Sequence, residues 1–282
     1  MEVKEARHFL QRELSALYDS SEAEAIAWRV LEYLTGFEKM KIWLNQSLDI
    51  NENEVLNLCA QLKKNIPIQY VLGYEWWGGM KLKVNQHVLI PRPETEELGN
   101  MVNQYIQTKE AQVISVIDIG TGSGCLPIFI KKKNPLVKVD AIDISDEALN
   151  VAKENAKREQ VEIHFFQKDI FQKDIFVNKK YDIIVSNPPY ILPEEKIDMH
   201  ERVWANEPNV ALFVTNHDPL QFYKAIAFFA MQYLKPDGKI FLEINQSFAN
   251  EIFFYFHENH FLCEIKEDFY QNNRFAIVSF FS

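Results

Sequence analysis

The run Asp118-Ile119-Gly120-Thr121-Gly122-Ser123-Gly124 constrains the fold more than any other stretch of this 282-residue chain. It closes the apolar segment 113–119, which reads as a buried strand, and a helical pattern follows it. Glycine at alternate positions lets the backbone turn sharply and lets a ligand approach it closely. Further strands are expected at 137–143, 161–166 and 181–186, with helical stretches such as 146–156 between them, and later strands at 239–244 and 275–280. Strands alternating with helices imply an α/β fold built on a mostly parallel, doubly wound sheet.

The spacing G-x-G-x-G is neither the dinucleotide form G-x-G-x-x-G nor a Walker loop, since no Gly-Lys-Ser/Thr follows. A glycine loop alone can be no more than a tight turn. Here acidic residues accompany it. Asp143 ends the next strand, where a carboxylate accepts hydrogen bonds from ribose hydroxyls. Asp169 follows the third strand, with Ile170 beside it: an acceptor for an adenine amino group and an apolar neighbour for the ring. The segment 167–171 is repeated at once by 172–176, so Asp174 competes with Asp169 for that role. The expected cofactor-binding set is therefore Asp118, Gly120, Thr121, Gly122, Ser123, Gly124, Asp143, Asp169 and Ile170, joined by Asn187. Such a set suits a nucleoside that lacks a pyrophosphate, a description that S-adenosylmethionine fits.

Ser186-Asn187-Pro188-Pro189-Tyr190 follows the fourth strand and is the most specific signal in the chain. A carboxamide nitrogen is a poor nucleophile, because its lone pair is delocalised into the carbonyl. A site that methylates one needs acceptors aimed at its N–H bonds. The Asn187 side-chain oxygen is one candidate acceptor. The Pro188 carbonyl is another, because proline fixes the local geometry and brings no competing N–H. Tyr190 is expected to form an aromatic wall against the planar group. Asn187, Pro188, Pro189 and Tyr190 are the candidate catalytic residues; the bland alternative for Asn-Pro-Pro is a turn.

Residues 1–68 read as a small helical bundle with no cluster of catalytic type, expected to dock a partner. Phe9, Leu10, Leu14 and Leu17 recur at helical spacing, and Ser21 with Glu24 looks like a capping box opening the second helix, which Gly36 ends. Residues 69–77 are aromatic and strand-like, Gly78-Gly79 follows, and 80–84 alternates, so a β-hairpin linker is expected over 69–90. The catalytic domain is expected over 91–282. Thirty basic against 40 acidic residues leave a net charge of −10, which argues against a stable grip on nucleic acid and favours a basic protein partner. Cys59, Cys125 and Cys263 form no C-x-x-C pair, His257 and His260 lack a third ligand, and no metal is expected. The longest apolar stretch, 225–234, is too short to span a bilayer and the first residues lack a signal-peptide pattern, so a cytoplasmic monomer is expected.

With these motifs in place the chain resembles the class I methyltransferases and, more closely, the bacterial release-factor glutamine methyltransferases. The resemblance covers nearly the whole sequence. It rests on 69–73, on Ile90-Pro91-Arg92-Pro93-Glu94-Thr95-Glu96-Glu97-Leu98, on the glycine loop, on Asp143, on Asn187 to Tyr190, on 234–243 and on Arg274-Phe275. It implies a Rossmann-like, seven-stranded domain with a small N-terminal helical domain. It also implies methyl transfer from S-adenosylmethionine to N5 of the glutamine in the Gly-Gly-Gln motif of peptide-chain release factors. Asn-Pro-Pro-Tyr alone is shared with adenine-N6 and guanine-N2 nucleic-acid methyltransferases and with enzymes that methylate a ribosomal-protein glutamine. These are the alternative readings. The Pro-Arg-Pro-Glu-Thr-Glu run separates the chain from the last group, which resembles Pro-Arg-Ser-Pro there. Gly99 and Asn245 depart from the family pattern, the first where an apolar residue is usual, the second where a glycine is.

Overall fold

The computed structural model describes residues 1–109, 113–172, 176, 179–214 and 218–281. The chain divides into two compact units, one of Met1–Tyr74 with Glu201–Asn206, the other of Glu75–His200 with Glu207–Ser282.

The first unit holds α1 (Val3–Leu14), α2 (Ser20–Thr35), α3 (Lys39–Leu44), α4 (Glu52–Leu62), α5 (Ile68–Leu72) and the short α9 (Glu201–Asn206). Val3, Ala6, Leu10 and Leu14 form the buried stripe of α1, whereas Leu17 lies beyond the helix and is 43% exposed. The apolar face is thus shifted towards the N-terminus from the expected one. Asp19, not Ser21, caps α2: its carboxylate accepts from the Ser21 and Glu22 amides, and Gly36 ends the helix in the left-handed region. α9 packs through Arg202, whose guanidinium lies 4.1 Å over the Tyr18 ring and pairs with Glu22 at 2.6 Å. Residues 68–72 are helical, not extended. Gly73 closes that turn at φ 77°, and only then does the strand begin. The aromatic and β-branched side chains suggested a strand, but Pro67 before α5 and Gly73 after it bound a helical turn instead.

In the second unit the hairpin pairs β1 (Tyr74–Trp77) with β2 (Met80–Lys83). Gly78 and Gly79 both have positive φ, the two-residue turn that matches strand twist. The hairpin is tied to α6 (Pro93–Gln107): the Trp77 indole N–H donates to the Arg92 carbonyl at 2.7 Å, and the Gly78 amide donates to Glu96 at 3.2 Å.

The remaining elements are β3 (Ser115–Ile119), α7 (Cys125–Lys133), β4 (Lys138–Asp143), α8 (Asp146–Arg158), β5 (His164–Gln167), β6 (Tyr181–Ser186), α10 (Asn209–Leu212), α11 (Gln221–Tyr233), β7 (Leu234–Glu243), α12 (Ala249–Glu258), β8 (Phe261–Glu267) and β9 (Asn273–Phe280). Seven strands form one sheet in the order β5-β4-β3-β6-β7-β9-β8, in which only β9 runs against the rest. The order reverses between β3 and β6, and open α/β sheets bind ligands at the carboxyl ends of strands flanking such a reversal. Period-two alternation fills both faces: Ile117, Ile119 and Ile184 pack under α11 and α12, while Val116, Ile183 and Val185 pack under α6 and α7. Strand β8, whose exposed side chains alternate weakly, was not expected from the sequence. Among the described residues no helix is long and apolar enough to cross a membrane.

Gly99 has a packing role. It is buried in α6, and a Cβ there would stand 2.9 Å from the Phe129 ring of α7, which Trp77 holds edge-on at a centroid distance of 5.4 Å. Gly99→Ala is expected to lower stability by about 1 kcal/mol net, because overpacking of about 1–3 kcal/mol outweighs the roughly 1 kcal/mol gain in helix propensity. A urea midpoint equal to or above that of the parent would refute this.

Candidate active site

Parallel register assembles the site. Ile119 pairs with Ile142 on one side and with Ser186 on the other, so the glycine loop, Asp143 and Asn187 emerge side by side. The Ser186 hydroxyl donates to the Ile119 carbonyl at 2.7 Å, and the Gly120 and Thr121 amides donate to the Ile142 carbonyl at 2.9 and 3.0 Å. These bonds leave a cavity of about 290 Å³ above the strand ends.

Asp118, Gly120, Thr121, Gly122, Ser123, Asp143, Asp169, Ile170, Asn187, Pro188 and Pro189 all line this cavity. Gly122 sits at φ 53°, and a Cβ there would meet nothing within 4 Å, so the backbone lies open to an incoming group. Gly124 and Tyr190 are not in the lining. Gly124 instead caps α7, where a Cβ would come within 3.0 Å of Ala152. Tyr190 turns its hydroxyl to Glu243, 3.2 Å away. Asp174 lies outside the described residues. Asp169 accepts from the Phe171 amide at 2.9 Å, which orients its carboxylate at the loop after β5.

Two carboxylates at the site are held in unusual states. Asp118 is 1% exposed, and neither of its oxygens has a hydrogen-bond partner among the described residues. Burial pushes its pKa up to about 7, with the nearby Thr121 hydroxyl opposing the rise and the Asp143 charge adding to it. Asp143 is raised as well, chiefly by burial, although the Gly122 and Ser145 amides donate to it at 2.8 and 3.0 Å.

Several contributors lie outside the expected site residues. His87, Val88, Leu89 and Pro91 supply one wall; Val210, Ala211 and Phe222 supply another, with Phe222 against Phe171 at a ring distance of 5.1 Å. The first wall is pinned by Glu207, which accepts from the Ile90 amide at 3.1 Å and pairs with Arg92 at 2.5 Å. The second is set beside the Asn187–Tyr190 turn by backbone bonds between Ile191 and the Leu212 and Val214 peptide groups. Asn245, an odd residue by sequence, caps the 3-10 turn Gln246–Phe248 and donates to the Tyr190 carbonyl at 3.3 Å, fixing the end of the Asn187–Tyr190 turn. Among the described residues no cluster of acids, histidines and cysteines could hold a metal.

A doubly wound sheet with this loop, acid and Asn-Pro-Pro edge defines a methyltransferase, and the methyltransferase small domain family matches residues 100–209. Over 99% of its length the chain is 36% identical to the release factor glutamine methyltransferase of Flavobacterium psychrophilum, all of which it covers. It is 40% identical to the enzyme of that name from Streptococcus pneumoniae over 86% of this chain and 85% of that one. The chain belongs to the release factor glutamine methyltransferase family. The hMettl16 catalytic domain, solved with a MAT2A 3′UTR hairpin, shares the fold at 16% identity, with a TM-score of 0.56 over 90% of this chain and 91% of that one.

A buried acid whose folded pKa lies above its unfolded value contributes stability that is complete below the unfolded pKa and lost as pH rises through the folded one. For Asp118 that window runs from 3.8 to about 7. In the absence of cofactor, Asp118→Asn is therefore expected to match the parent's melting temperature at pH 4 and to exceed it at pH 8. A variant that melts no higher than the parent at pH 8 would contradict the assignment.

Proposed function

We propose that this protein transfers the methyl group of S-adenosylmethionine to the side-chain nitrogen of a glutamine in a peptide-chain release factor, the glutamine of the Gly-Gly-Gln motif. The observation that carries this reading is a single cavity in which the acid-flanked glycine loop and the Asn187-Pro188-Pro189 edge face common space.

The residues fit the cofactor. The open backbone at Gly122 admits a ligand at contact distance. The Asp118 carboxylate, without a hydrogen-bond partner among the described residues, suits a cationic group, whose arrival would return its pKa to the ordinary range. Asp143 keeps lone pairs beyond those used by the two amides, enough to accept ribose hydroxyls. Ile170 and Phe171 offer apolar surface to a base, with Asp169 as acceptor for its amino group. When bound, S-adenosylmethionine supplies an electrophilic methyl on a sulfonium sulfur. Asn187 Oδ1 and the Pro188 carbonyl accept the N–H bonds of the substrate carboxamide, turn its nitrogen towards the cofactor side and meet the positive charge that develops there. The nitrogen would gain the methyl carbon as the carbon–sulfur bond breaks with its electron pair left on sulfur, and would give up one of its two protons to solvent. The walls at 87–91 and 210–211 bound the space in which the two substrates would meet.

The primary test is transfer of labelled methyl from S-adenosylmethionine to a purified release factor, with DNA and ribosomal protein as competing acceptors. Label is expected on the release factor and absent when its Gly-Gly-Gln glutamine is replaced; label that survives the replacement would overturn the reading. Asn187→Ala is expected to cost about 10²-fold or more in turnover while cofactor affinity holds. Asp143→Ala is expected to weaken cofactor binding by about 1–3 kcal/mol in calorimetry, the range for lost charge-assisted hydrogen bonds, and unchanged affinity would remove it from the cofactor site.

A further inference from the structure

Asn187 is not free to choose which end of its carboxamide faces the cavity. Its Nδ2 donates to the Thr95 hydroxyl at 3.0 Å, and that hydroxyl donates to Glu243 Oε2 at 2.8 Å. Thr95, in the first turn of α6, is 3% exposed and lines the cavity, and Glu243 is 2% exposed at the end of β7. The direction of the chain of bonds follows from donor counts. Ionised Glu243 only accepts, and a hydroxyl has one hydrogen to give. Once the Thr95 hydrogen is committed to Glu243, its oxygen can only accept, and of the two ends of Asn187 only the NH2 group can donate to it. Oδ1 is thereby turned away from Thr95, and no group among the described residues donates to it. The other oxygen of Glu243 receives the Tyr190 hydroxyl at 3.2 Å, so one buried carboxylate holds both ends of the Asn-Pro-Pro-Tyr turn.

We propose that Thr95 and Glu243 are positioning residues that fix the Asn187 carboxamide with its nitrogen inward and its oxygen presented to the substrate N–H. The proposal rests on the reading of Asn187 as substrate acceptor. With the opposite orientation Asn187 would offer N–H to N–H, and the substrate amide would be repelled from the geometry it needs. The Thr95 hydroxyl thus sets polarity, a role distinct from tying α6 to the sheet.

The experiment measures kcat, KM for purified release factor and calorimetric affinity for S-adenosylhomocysteine in Thr95→Val, Thr95→Ser, Asn187→Ala and the double variant Thr95→Val/Asn187→Ala. Thr95→Val is expected to lower kcat by about tenfold to a hundredfold, with KM and cofactor affinity within about threefold of the parent. Thr95→Ser retains the hydroxyl and is expected to recover most of that loss. In the Asn187→Ala background Thr95→Val is expected to cost nothing further in kcat, because its effect passes through Asn187. Retained cofactor affinity reports that the variant is folded; should Thr95→Val fail it, Thr95→Ala takes its place. If Asn187→Ala loses turnover and Thr95→Val does not, the positioning role is wrong while the clamp stands. Losses that add in the double variant, or a serine variant as slow as the valine one, also overturn it. If Asn187→Ala itself turns over normally, the clamp reading falls and the relay with it.

Discussion

The parallel pairing of β3 with both of its neighbours is the constraint on which the site depends. Because Ile119 is level with Ile142 and with Ser186, three chain segments leave the sheet at the same height. Slipping either pairing by one residue would turn Asp143 or Asn187 to the opposite face, since side chains alternate along a strand. The Ser186 hydroxyl bond to the Ile119 carbonyl and the paired amides of Gly120 and Thr121 on the Ile142 carbonyl lock that level. The sheet therefore does more than support the cavity: its register determines which residues can share it.

The acids of the same sheet divide into two kinds according to where along the strand they lie. Asp182, near the start of β6, is partly desolvated, yet Lys235 at 2.9 Å and the Ser115 amide at 2.7 Å hold its pKa below the usual carboxylate value. Asp140 in β4 accepts from the Lys179 ammonium and from the Tyr181 hydroxyl at 2.6 Å. At the carboxyl ends the compensation is missing. Among the described residues Asp118 has no hydrogen-bond partner and Glu243 has only hydroxyl donors, and burial pushes both up to about 7, with Thr95, Arg274 and Tyr190 opposing the rise at Glu243. Buried charges without ion partners cost stability. That cost falls where ligands bind, which fits acids kept for binding and for orientation, whereas Asp140 and Asp182 act as paired struts.

The order of strands and helices was legible because local patterns generate it: apolar runs for β3, β4 and β6, and glycines at the β3–α7 turn and at Gly78-Gly79. The same local logic failed at 68–72, where aromatic and β-branched side chains pointed to a strand although Pro67 and Gly73 bound a helical turn. It missed β8, which has β9 on one side only and a mixed exposure pattern. Motif residues of the site were readable because they sit at strand ends. Thr95, Glu207, Glu243 and Asn245 were not, since each works through a partner far along the chain. Thr95 and Glu243 are 148 residues apart, and Arg92 and Glu207 are 115 apart. No spacing rule in a single sequence connects such pairs. The bond from the Tyr190 hydroxyl to buried Glu243 is another such long-range tie, and nothing in the motif announces it.

The division between local motif and distant support bears on how an Asn-Pro-Pro-Tyr turn can serve different acceptors. A carboxamide oxygen and a proline carbonyl accept N–H from a glutamine side chain or from an exocyclic base amine with equal chemistry, so the turn itself does not choose between them. Choice has to come from what surrounds it. In this chain the surroundings are built by the 87–91 wall, pinned by Glu207, and by the Val210-Ala211 wall, set through Ile191. Both walls are chiefly apolar and neither carries a cluster of lysines or arginines for a phosphate backbone. A slender, neutral side chain delivered on a polypeptide suits such an opening better than a flipped base with its charged backbone, which would bring phosphates to a protein of net charge −10.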